Sequence, residues 1–153
     1  LEPGALRFVG ELFATNACQW VASPVRCFSE VREWVYRAMP EQDPVDWLYQ
    51  VPIPQQGCFW SADLWRRLGP FREDLHFAFD YEYWLRIRFT GDVRPMIVDR
   101  TLGAFRFHAA SKTVSERARF EPEERAVRRQ YRAYLPAASR LRAVMRERQA
   151  LAN

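Results

Sequence analysis

Two carboxylates stand close together in the segment Phe79–Ile87, which has the sequence FDYEYWLRI. A carboxylate beside large apolar side chains is partly removed from water, and this raises its pKa towards values that suit proton transfer. Asp80, between Phe79 and Tyr81, fits that description and is a candidate general base. The same residue is placed to cap the helix that follows, and residue types alone favour capping. The two roles are compatible.

The other polar residues of this segment can support the helix or take part in binding. Glu82 and Arg86 are four residues apart, so on a helix they form an ion pair. That pairing predicts a structural role, with Glu82 as the second candidate base if Asp80 faces away. Trp84 follows Asp80 by four residues and shares its face. Its indole offers an aromatic surface for stacking on a ligand, although filling the core is the commoner role of tryptophan.

Gln55 and Gln56 stand in the otherwise apolar stretch IPQQGCFW (53–60), which predicts a buried strand. Amide side chains at the end of a strand can hydrogen-bond to the polar groups of a ligand, and Gly57 lets the backbone approach a ligand closely. Ordinary loop polarity explains the two glutamines nearly as well.

The elements that must position these residues alternate between helix and strand, which predicts an α/β architecture. Apolar spacing and capping residues predict helices over 2–14, 29–39 with the N-cap Ser29, 43–51 with the N-cap Asp43, 62–69 after the N-cap Ser61, and a helix that contains 79–87 and ends at Gly91. Buried strands are predicted over 18–22, 53–60 and, as one or two strands, 96–108; loops are predicted over 40–43 and 109–113.

Charge is unevenly distributed along the chain. Residues 106–153 hold 12 basic and 5 acidic residues, a net charge of +7, whereas residues 1–105 have a net charge of −3. From Glu116 the chain is predicted to be helical, with an interruption at Pro136 and a second basic helix after it. Its apolar stripe consists of Val127, Tyr131, Tyr134 and Leu135. The asymmetry suggests an anionic partner, such as nucleic acid or a lipid surface, or a solvated helix face; packing of the stripe on the domain is favoured over membrane docking.

Cysteine usage and hydropathy restrict the class of protein further. Cys18, Cys27 and Cys58 are odd in number and lack CxxC spacing, which predicts buried free thiols in a reducing compartment. No apolar run approaches the roughly 18 residues that a membrane-spanning helix needs. The first ten residues contain an acid and no basic region, which is not typical of a secretory signal. We expect a cytoplasmic protein, either free or peripheral at the inner face of a membrane.

Five motifs in order resemble the C-terminal half of a family-2 glycosyltransferase with the A-type nucleotide-diphospho-sugar transferase fold. They are PGAL (3–6), IPQQGCFW (53–60), LWRRLGPFREDL (64–75), FDYEYWLRI (79–87) and FRFHAASKT (105–113). The resemblance implies a short mixed sheet flanked by helices, with residues 1–115 as the acceptor-side part of the catalytic domain and residues 116–153 as a basic helical extension.

The resemblance implies an inverting transfer of a sugar from a nucleotide-diphospho-sugar to an acceptor hydroxyl. Asp80 matches the position of the general base, which removes the proton of the attacking hydroxyl. The acceptor, a glycan or a lipid-linked glycan, is then expected to contact Gln55, Gln56, Trp84 and Glu82.

The resemblance also implies a diphosphate and metal site near residue 108. His108 matches a histidine that completes the coordination of Mg²⁺ or Mn²⁺ on the diphosphate, although a lone histidine at a strand end is more often a core or surface group. Arg106, Ser111 and Lys112 are then predicted to contact the diphosphate, because cations and hydroxyls offset the charge that grows on the leaving group.

One part of the family pattern does not occur in this sequence. The Asp-x-Asp motif that binds metal and sugar nucleotide precedes the PGAL helix in the family, and no such motif stands here. The chain is then either a fragment of a longer protein or a divergent remnant, and a fragment is favoured. We expect this fragment to be inactive alone and to associate with itself through an exposed sheet edge. The alternative function is a non-catalytic module that binds nucleic acid or another anionic partner through the basic helices. The large aromatics are concentrated in the acidic part of the chain, which disfavours nucleic acid.

Overall fold

The computed structural model describes residues 1–39, 44–49 and 53–152, in which short strands alternate with helices. The helices are α1 (Ala5–Ala14), α2 (Asp46–Tyr49), α3 (Ala62–Leu68), α4 (Phe79–Leu85), α5 (Lys112–Ser115), α6 (Arg117–Tyr131) and α7 (Ala137–Ala152). The strands are β1 (Trp20–Ala22), β2 (Val25–Phe28), β3 (Glu33–Tyr36), β4 (Cys58–Trp60), β5 (Met96–Ile97) and β6 (Gly103–Arg106). The predicted mixed α/β class is confirmed.

The described strands form two small mixed sheets. In the first sheet β1 lies between β4, to which it is antiparallel, and β5, to which it is parallel. In the second sheet β2 lies between the antiparallel β3 and the parallel β6. The two central strands follow each other directly in the chain, joined by Ser23 and Pro24. One extended segment therefore provides the central strand of both sheets.

Helix α4 runs through the main hydrophobic core. Tyr83, Leu85 and Ile87 have no exposed surface, and they pack in the same core cluster as Trp20 and Trp47. The helix continues as a wider π-helical turn over Arg86–Thr90 and ends at Gly91, where the sequence predicted its end. All residues of α4 from Tyr81 to Leu85 are buried, so the helix is packed on several sides.

The C-terminal helices pack on the same core. Val127, Tyr131, Leu135 and Ala143 are buried in it, which agrees with the predicted apolar stripe except at Tyr134, 53% of which is exposed. Tyr134 falls in the 3₁₀ turn after α6, where the helical periodicity ends. The predicted boundary at 115/116 falls between α5 and α6.

Arginines of the C-terminal helices form ion pairs with carboxylates, which belong to the same region except for Asp46 of α2, the partner of Arg146. The paired arginines are Arg117, Arg119, Arg125, Arg128, Arg132 and Arg146. Most of these pairs are exposed and each contributes little to stability. Their pairing nevertheless favours the solvated helix face over an arginine surface kept for nucleic acid.

The predicted helix over 29–39 is wrong, because this segment is part of a β-hairpin formed by β2 and β3. The Ser29 hydroxyl accepts hydrogen bonds from the N–H groups of Val31 and Arg32, and this closes a turn instead of capping a helix. The β-branched and aromatic residues of EWVY then suit a strand. Strand β2 was not predicted.

Other predicted elements are confirmed with changed bounds. Ser61 caps α3 by accepting a hydrogen bond of 3.2 Å from the Leu64 N–H, and Gly69 follows the helix with φ of 82°. The strand predicted over 53–60 is reduced to β4, because Gln55–Gly57 form a 3₁₀ turn. Asp43 and the predicted loop at 40–43 lie outside the described residues.

The three cysteines are free thiols, as predicted, and Cys27 and Cys58 are buried. The Cys58 sulfur accepts a hydrogen bond of 3.0 Å from the Trp20 indole N–H, and burial raises the pKa of this thiol to about 12. Cys58 therefore stays protonated and unreactive at neutral pH. Among the described helices, none combines the length and the apolar character needed to cross a bilayer.

Candidate functional site

A cavity with two lobes lies beside the first turn of α4, and both lobes are lined by Gln55, Gln56, Asp80, Phe105 and Thr113. The lysine lobe has a volume of about 300 Å³, and its further lining residues are His76, Phe77, Phe79, Ser111, Lys112 and Phe120. The tryptophan lobe has a volume of about 210 Å³, and its further lining residues are Cys27, Tyr36, Ile53, Pro54, Trp84 and Phe107. We call the two lobes together the Asp80 cavity.

Asp80 is the second residue of α4 and lines both lobes. Its Oδ1 accepts a hydrogen bond of 2.7 Å from the backbone N–H of Tyr81. Burial raises the pKa of the Asp80 carboxyl to about 6; backbone hydrogen bonds act in the opposite direction, and the Glu124 carboxylate adds to the rise. The side chain is therefore mostly ionised at neutral pH, yet it is a stronger base than an ordinary aspartate.

The cap of α4 comes from another helix. Ala78 occupies the N-cap position without a side-chain hydrogen bond, so the predicted N-cap role of Asp80 is wrong. The Glu123 carboxylate of α6 accepts hydrogen bonds from the N–H groups of His76, Phe77 and Ala78 at 3.1, 2.8 and 2.9 Å. Burial acts to raise the pKa of Glu123, but these amides bring it below its usual value. Apart from its bond to the Tyr81 N–H, the Asp80 carboxylate is available to the cavity.

Glu82 does not line the cavity and is only 1% exposed. Its carboxylate accepts a hydrogen bond of 2.7 Å from the Tyr131 hydroxyl and forms an ion pair with Arg86. The Arg86 guanidinium also donates to the carbonyls of Leu68 and Pro70 at 3.1 and 2.8 Å. The predicted acceptor contact of Glu82 is wrong, because its carboxylate is enclosed in a network that joins α4 to α6 and to the end of α3.

The turn that carries Gln55 and Gln56 is held by close backbone packing. A Cβ atom at Gly57 would lie 2.5 Å from the carbonyl oxygen of Ser23, and one at Gly103 would lie 2.1 Å from the carbonyl oxygen of Gln56. Both distances are too short for any side chain, so glycine is required where β2 and β6 approach the turn. The two glutamines are therefore held at the cavity by the second sheet.

Trp84 lines the tryptophan lobe but is only 3% exposed. Most of its indole is packed in the main core, so Trp84 has the core-filling role that is the commoner one for tryptophan. Only a small part of its indole is therefore available to a bound sugar.

Ser111 and Lys112 line the lysine lobe at the start of α5. The Ser111 hydroxyl donates a hydrogen bond of 2.7 Å to the carbonyl of His108, and the Lys112 ammonium lies 5.4 Å from the centre of the Phe77 ring. Lys112 is exposed, so it brings a positive charge to the mouth of the lobe without a burial penalty.

Arg106 and His108 are exposed and do not line the cavity. Arg106 ends β6 opposite Phe28, and His108 contributes its backbone carbonyl to the turn before α5. Within the described residues, no three side chains of His, Cys, Asp or Glu lie together as a metal site would require. These residues do not by themselves fit a divalent metal, and the predicted metal role of His108 stays a prediction.

Several functional candidates have weak or no sequence signals. Thr113 and Phe105 line both lobes and stand in the motif FRFHAASKT, so the motif marked the region without singling them out. Glu123 lies 45 residues after Ala78, whose N–H it binds, and no local pattern connects the two. Tyr36 reaches the tryptophan lobe from a hairpin predicted to be a helix.

No family model matches the chain. The comparisons with curated proteins and with solved structures also give no match. The functional argument therefore depends on the geometry of the Asp80 cavity and on the motifs in the sequence.

Proposed function

We propose that the Asp80 cavity is the acceptor side of a glycosyl transfer site, with Asp80 as the general base of an inverting reaction. The observation that carries this proposal is a single carboxylate with a raised pKa at the point where two lobes of different chemistry meet. An ordinary capping aspartate would have a pKa near or below 4 and would face solvent.

The proposed reaction needs one proton acceptor and one electrophile. The acceptor hydroxyl oxygen forms a bond to the anomeric carbon of the donor as the bond from that carbon to the diphosphate oxygen breaks. The electron pair of the broken bond leaves with the nucleoside diphosphate, and the hydroxyl proton moves to Asp80. A base with a pKa of about 6 takes this proton more readily than one near 4, and remains available at neutral pH.

The two lobes share Gln55, Gln56 and Thr113, but their other lining residues differ and suit different partners of this reaction. The tryptophan lobe offers aromatic surface and the amides of Gln55 and Gln56, which suits the apolar faces and hydroxyls of a sugar. The lysine lobe offers Lys112 with the hydroxyls of Ser111 and Thr113, which suits the charge of a leaving diphosphate. We therefore assign the acceptor to the tryptophan lobe and the diphosphate to the lysine lobe.

The assignment of the acceptor can be tested by NMR on this chain. Titration with a panel of neutral oligosaccharides is expected to shift the side-chain amide signals of Gln55 and Gln56 together with the Trp84 indole signal. The Asp80→Asn variant should retain these shifts, because it removes the base but keeps the shape of the lobe. Gln130 is an exposed residue of α6, and its side-chain amide is the internal control, whose NMR signal should not shift.

The diphosphate assignment has a separate measurement. Uridine or guanosine diphosphate is expected to shift the amides of Ser111, Lys112 and Thr113, with weak affinity in the millimolar range, about −4 kcal/mol. Shifts confined to the arginines of α6 and α7, with none at the cavity, would contradict the proposal and favour the anion-binding module.

A further inference from the structure

Strand β3 lies at an edge of the second sheet. Among the strands that the structure describes, β2 is its neighbour on one side and none pairs with the other side. Val35 is 48% exposed, and the side chains of Glu33 and Arg37 are 59% and 69% exposed. An open edge with an exposed valine between two charges is a surface suited to pairing with another strand.

The hydrogen bonds of the hairpin show which backbone groups face outward. The Ser29 N–H donates to the Arg32 carbonyl at 2.9 Å, so these residues form a hydrogen-bonded pair at the turn. Hydrogen-bonded and non-hydrogen-bonded pairs alternate along an antiparallel ladder. The backbone N–H and C=O groups of Trp34 and Tyr36 therefore also point towards β2. The Phe28 carbonyl accepts from the Phe107 N–H of the chain beyond β6, as this alternation requires.

The residues whose backbone N–H and C=O groups point away from β2, towards the open edge, are therefore Glu33, Val35 and Arg37. Antiparallel pairing of β3 with β3 of a second copy, centred on Val35, places Val35 opposite itself. In the same register Glu33 lies opposite Arg37 of the second copy and Arg37 opposite its Glu33. Each of these pairs exchanges both backbone hydrogen bonds, and opposite charges directly across an antiparallel ladder are favourable. The edge is thus complementary to itself in both hydrogen bonding and charge.

We propose that two copies of this chain pair through β3 in this register and form a continuous sheet across a two-fold axis. The pairing does not depend on the function proposed for the cavity, but it bears on the cavity's shape. Trp34 and Tyr36 lie on the face of the sheet that carries Cys27 and Phe105, which line the tryptophan lobe. Trp34 of the second copy lies opposite Tyr36 in the proposed register, so an aromatic side chain of one copy extends the cavity wall of the other.

Charge exchange tests the register directly. Sedimentation equilibrium of the unmodified chain from micromolar to millimolar concentration is expected to show monomer and dimer. Glu33→Arg alone and Arg37→Glu alone should each raise the dimer dissociation constant by about tenfold or more, because both cross-strand pairs become repulsive. An equimolar mixture of the two variants should recover the dimer as a heterodimer, since the two basic side chains on the edge of one variant then face the two acidic side chains on the edge of the other.

Matched controls separate the register from general charge effects and from unfolding. Arg32→Glu changes the charge as much as Arg37→Glu does, but Arg32 faces β2 and has no charged residue opposite it in the dimer, so dimerisation should persist. Hydrogen exchange is expected to protect the Val35 amide only at high concentration, whereas the Trp34 amide should be protected throughout. The latter also reports that the hairpin is folded in each variant.

Three results would overturn the proposal. The first is a monomer up to millimolar concentration, which would indicate that the charges of Glu33 and Arg37 prevent the edge from pairing. The second is a dimer that both single variants retain. The third is a mixture of the folded variants that stays monomeric.

Discussion

Asp80 and Glu82 lie two residues apart on one helix, yet they occupy opposite kinds of environment. Asp80 lines a cavity and has one described side-chain hydrogen bond, from the neighbouring amide of Tyr81. Glu82 is enclosed and is bound by Tyr131 and Arg86. Burial raises the pKa of Asp80 because no described cation compensates for its lost hydration, whereas Glu82 has a cation in direct contact.

The difference shows how one helix can hold a reactive group and a structural group of the same chemistry. A carboxylate that has lost water and gained only an amide is destabilised in its charged form, and this makes it a better base. A carboxylate that has lost water and gained a guanidinium and a hydroxyl is satisfied, and its removal weakens the fold. Replacing each carboxylate by its amide therefore separates the two roles.

The largest expected effect is on turnover. In a form of the protein that also contains a donor-binding segment, Asp80→Asn should lower the rate of sugar transfer by about 10² to 10⁴, because general-base assistance is lost. Glu82→Gln, compared at a temperature where both variants are folded, should retain most of the rate. Steady-state assays with a nucleotide-diphospho-sugar and a saccharide acceptor measure both. Near-normal turnover of Asp80→Asn would leave the cavity without its proposed base.

The next effect is on stability, and here the order of the two variants is reversed. Glu82→Gln should lower the free energy of unfolding by about 3 kcal/mol, since it leaves the Arg86 guanidinium buried without its counter-charge. Urea denaturation measures this loss. Glu116→Gln removes the ion pair with the exposed Arg119 and should cost less than about 0.5 kcal/mol. Equal losses for the two variants would show that the Glu82 network contributes no more than a surface pair.

The pH dependence of stability distinguishes Asp80 itself. Its folded pKa of about 6 lies above the value of about 3.9 expected in the unfolded chain, so between these values the folded state binds more protons. The stability of the unmodified chain relative to Asp80→Asn should therefore be greatest below pH 4 and fall by on the order of 2 kcal/mol as the pH rises through 6. Thermal or urea unfolding of both proteins at about pH 4, 5, 6 and 7 tests this. A constant difference would mean that Asp80 is hydrated like a surface carboxylate.

The smallest effect concerns the cap. Glu123→Gln keeps one acceptor oxygen for the amides before α4 but removes the charge, and it should cost about 1 kcal/mol. Glu121→Gln, on the same helix and in exposed ion pairs, serves as the control and should cost less. The NMR signal of the Asp80 carboxyl should also move in Glu123→Gln and stay in place in Glu121→Gln. Identical behaviour of the two variants would contradict the positioning role of Glu123.

Local patterns predicted those parts of the fold that local forces determine. The existence of α1 and α3, the Ser61 cap of α3 and the break at Pro136 depend on neighbours in sequence and are confirmed. The hairpin at β2 and β3 was missed because REWVYR has charges at both ends of an apolar centre, a pattern that fits a helix or a strand. The Ser29 turn decides in favour of the strand. Strand β2 also pairs with β6, and local patterns cannot show this contact because the two segments are distant in sequence.

The candidate site was predictable in its residue types and less so in its geometry. The motifs indicated Gln55, Gln56, Asp80, Ser111 and Lys112, and the structure brings these together around one cavity. Spacing alone could not separate Asp80 from Glu82, since a two-residue offset on a helix does not specify which side is open. That choice depends on Tyr131 and Glu123, both of which come from a distant helix.

The contact of Glu123 with the amides before α4 also has a consequence for the order of events during protein synthesis. When residues 79–85 are added to the nascent chain, the helix that supplies Glu123 and Tyr131 has not yet been made. A nascent chain that ends near residue 115 contains every residue that lines the Asp80 cavity except Phe120, but it lacks the contacts that hold the first turn of α4 in place. The cavity therefore reaches its final arrangement only after α6 has been made.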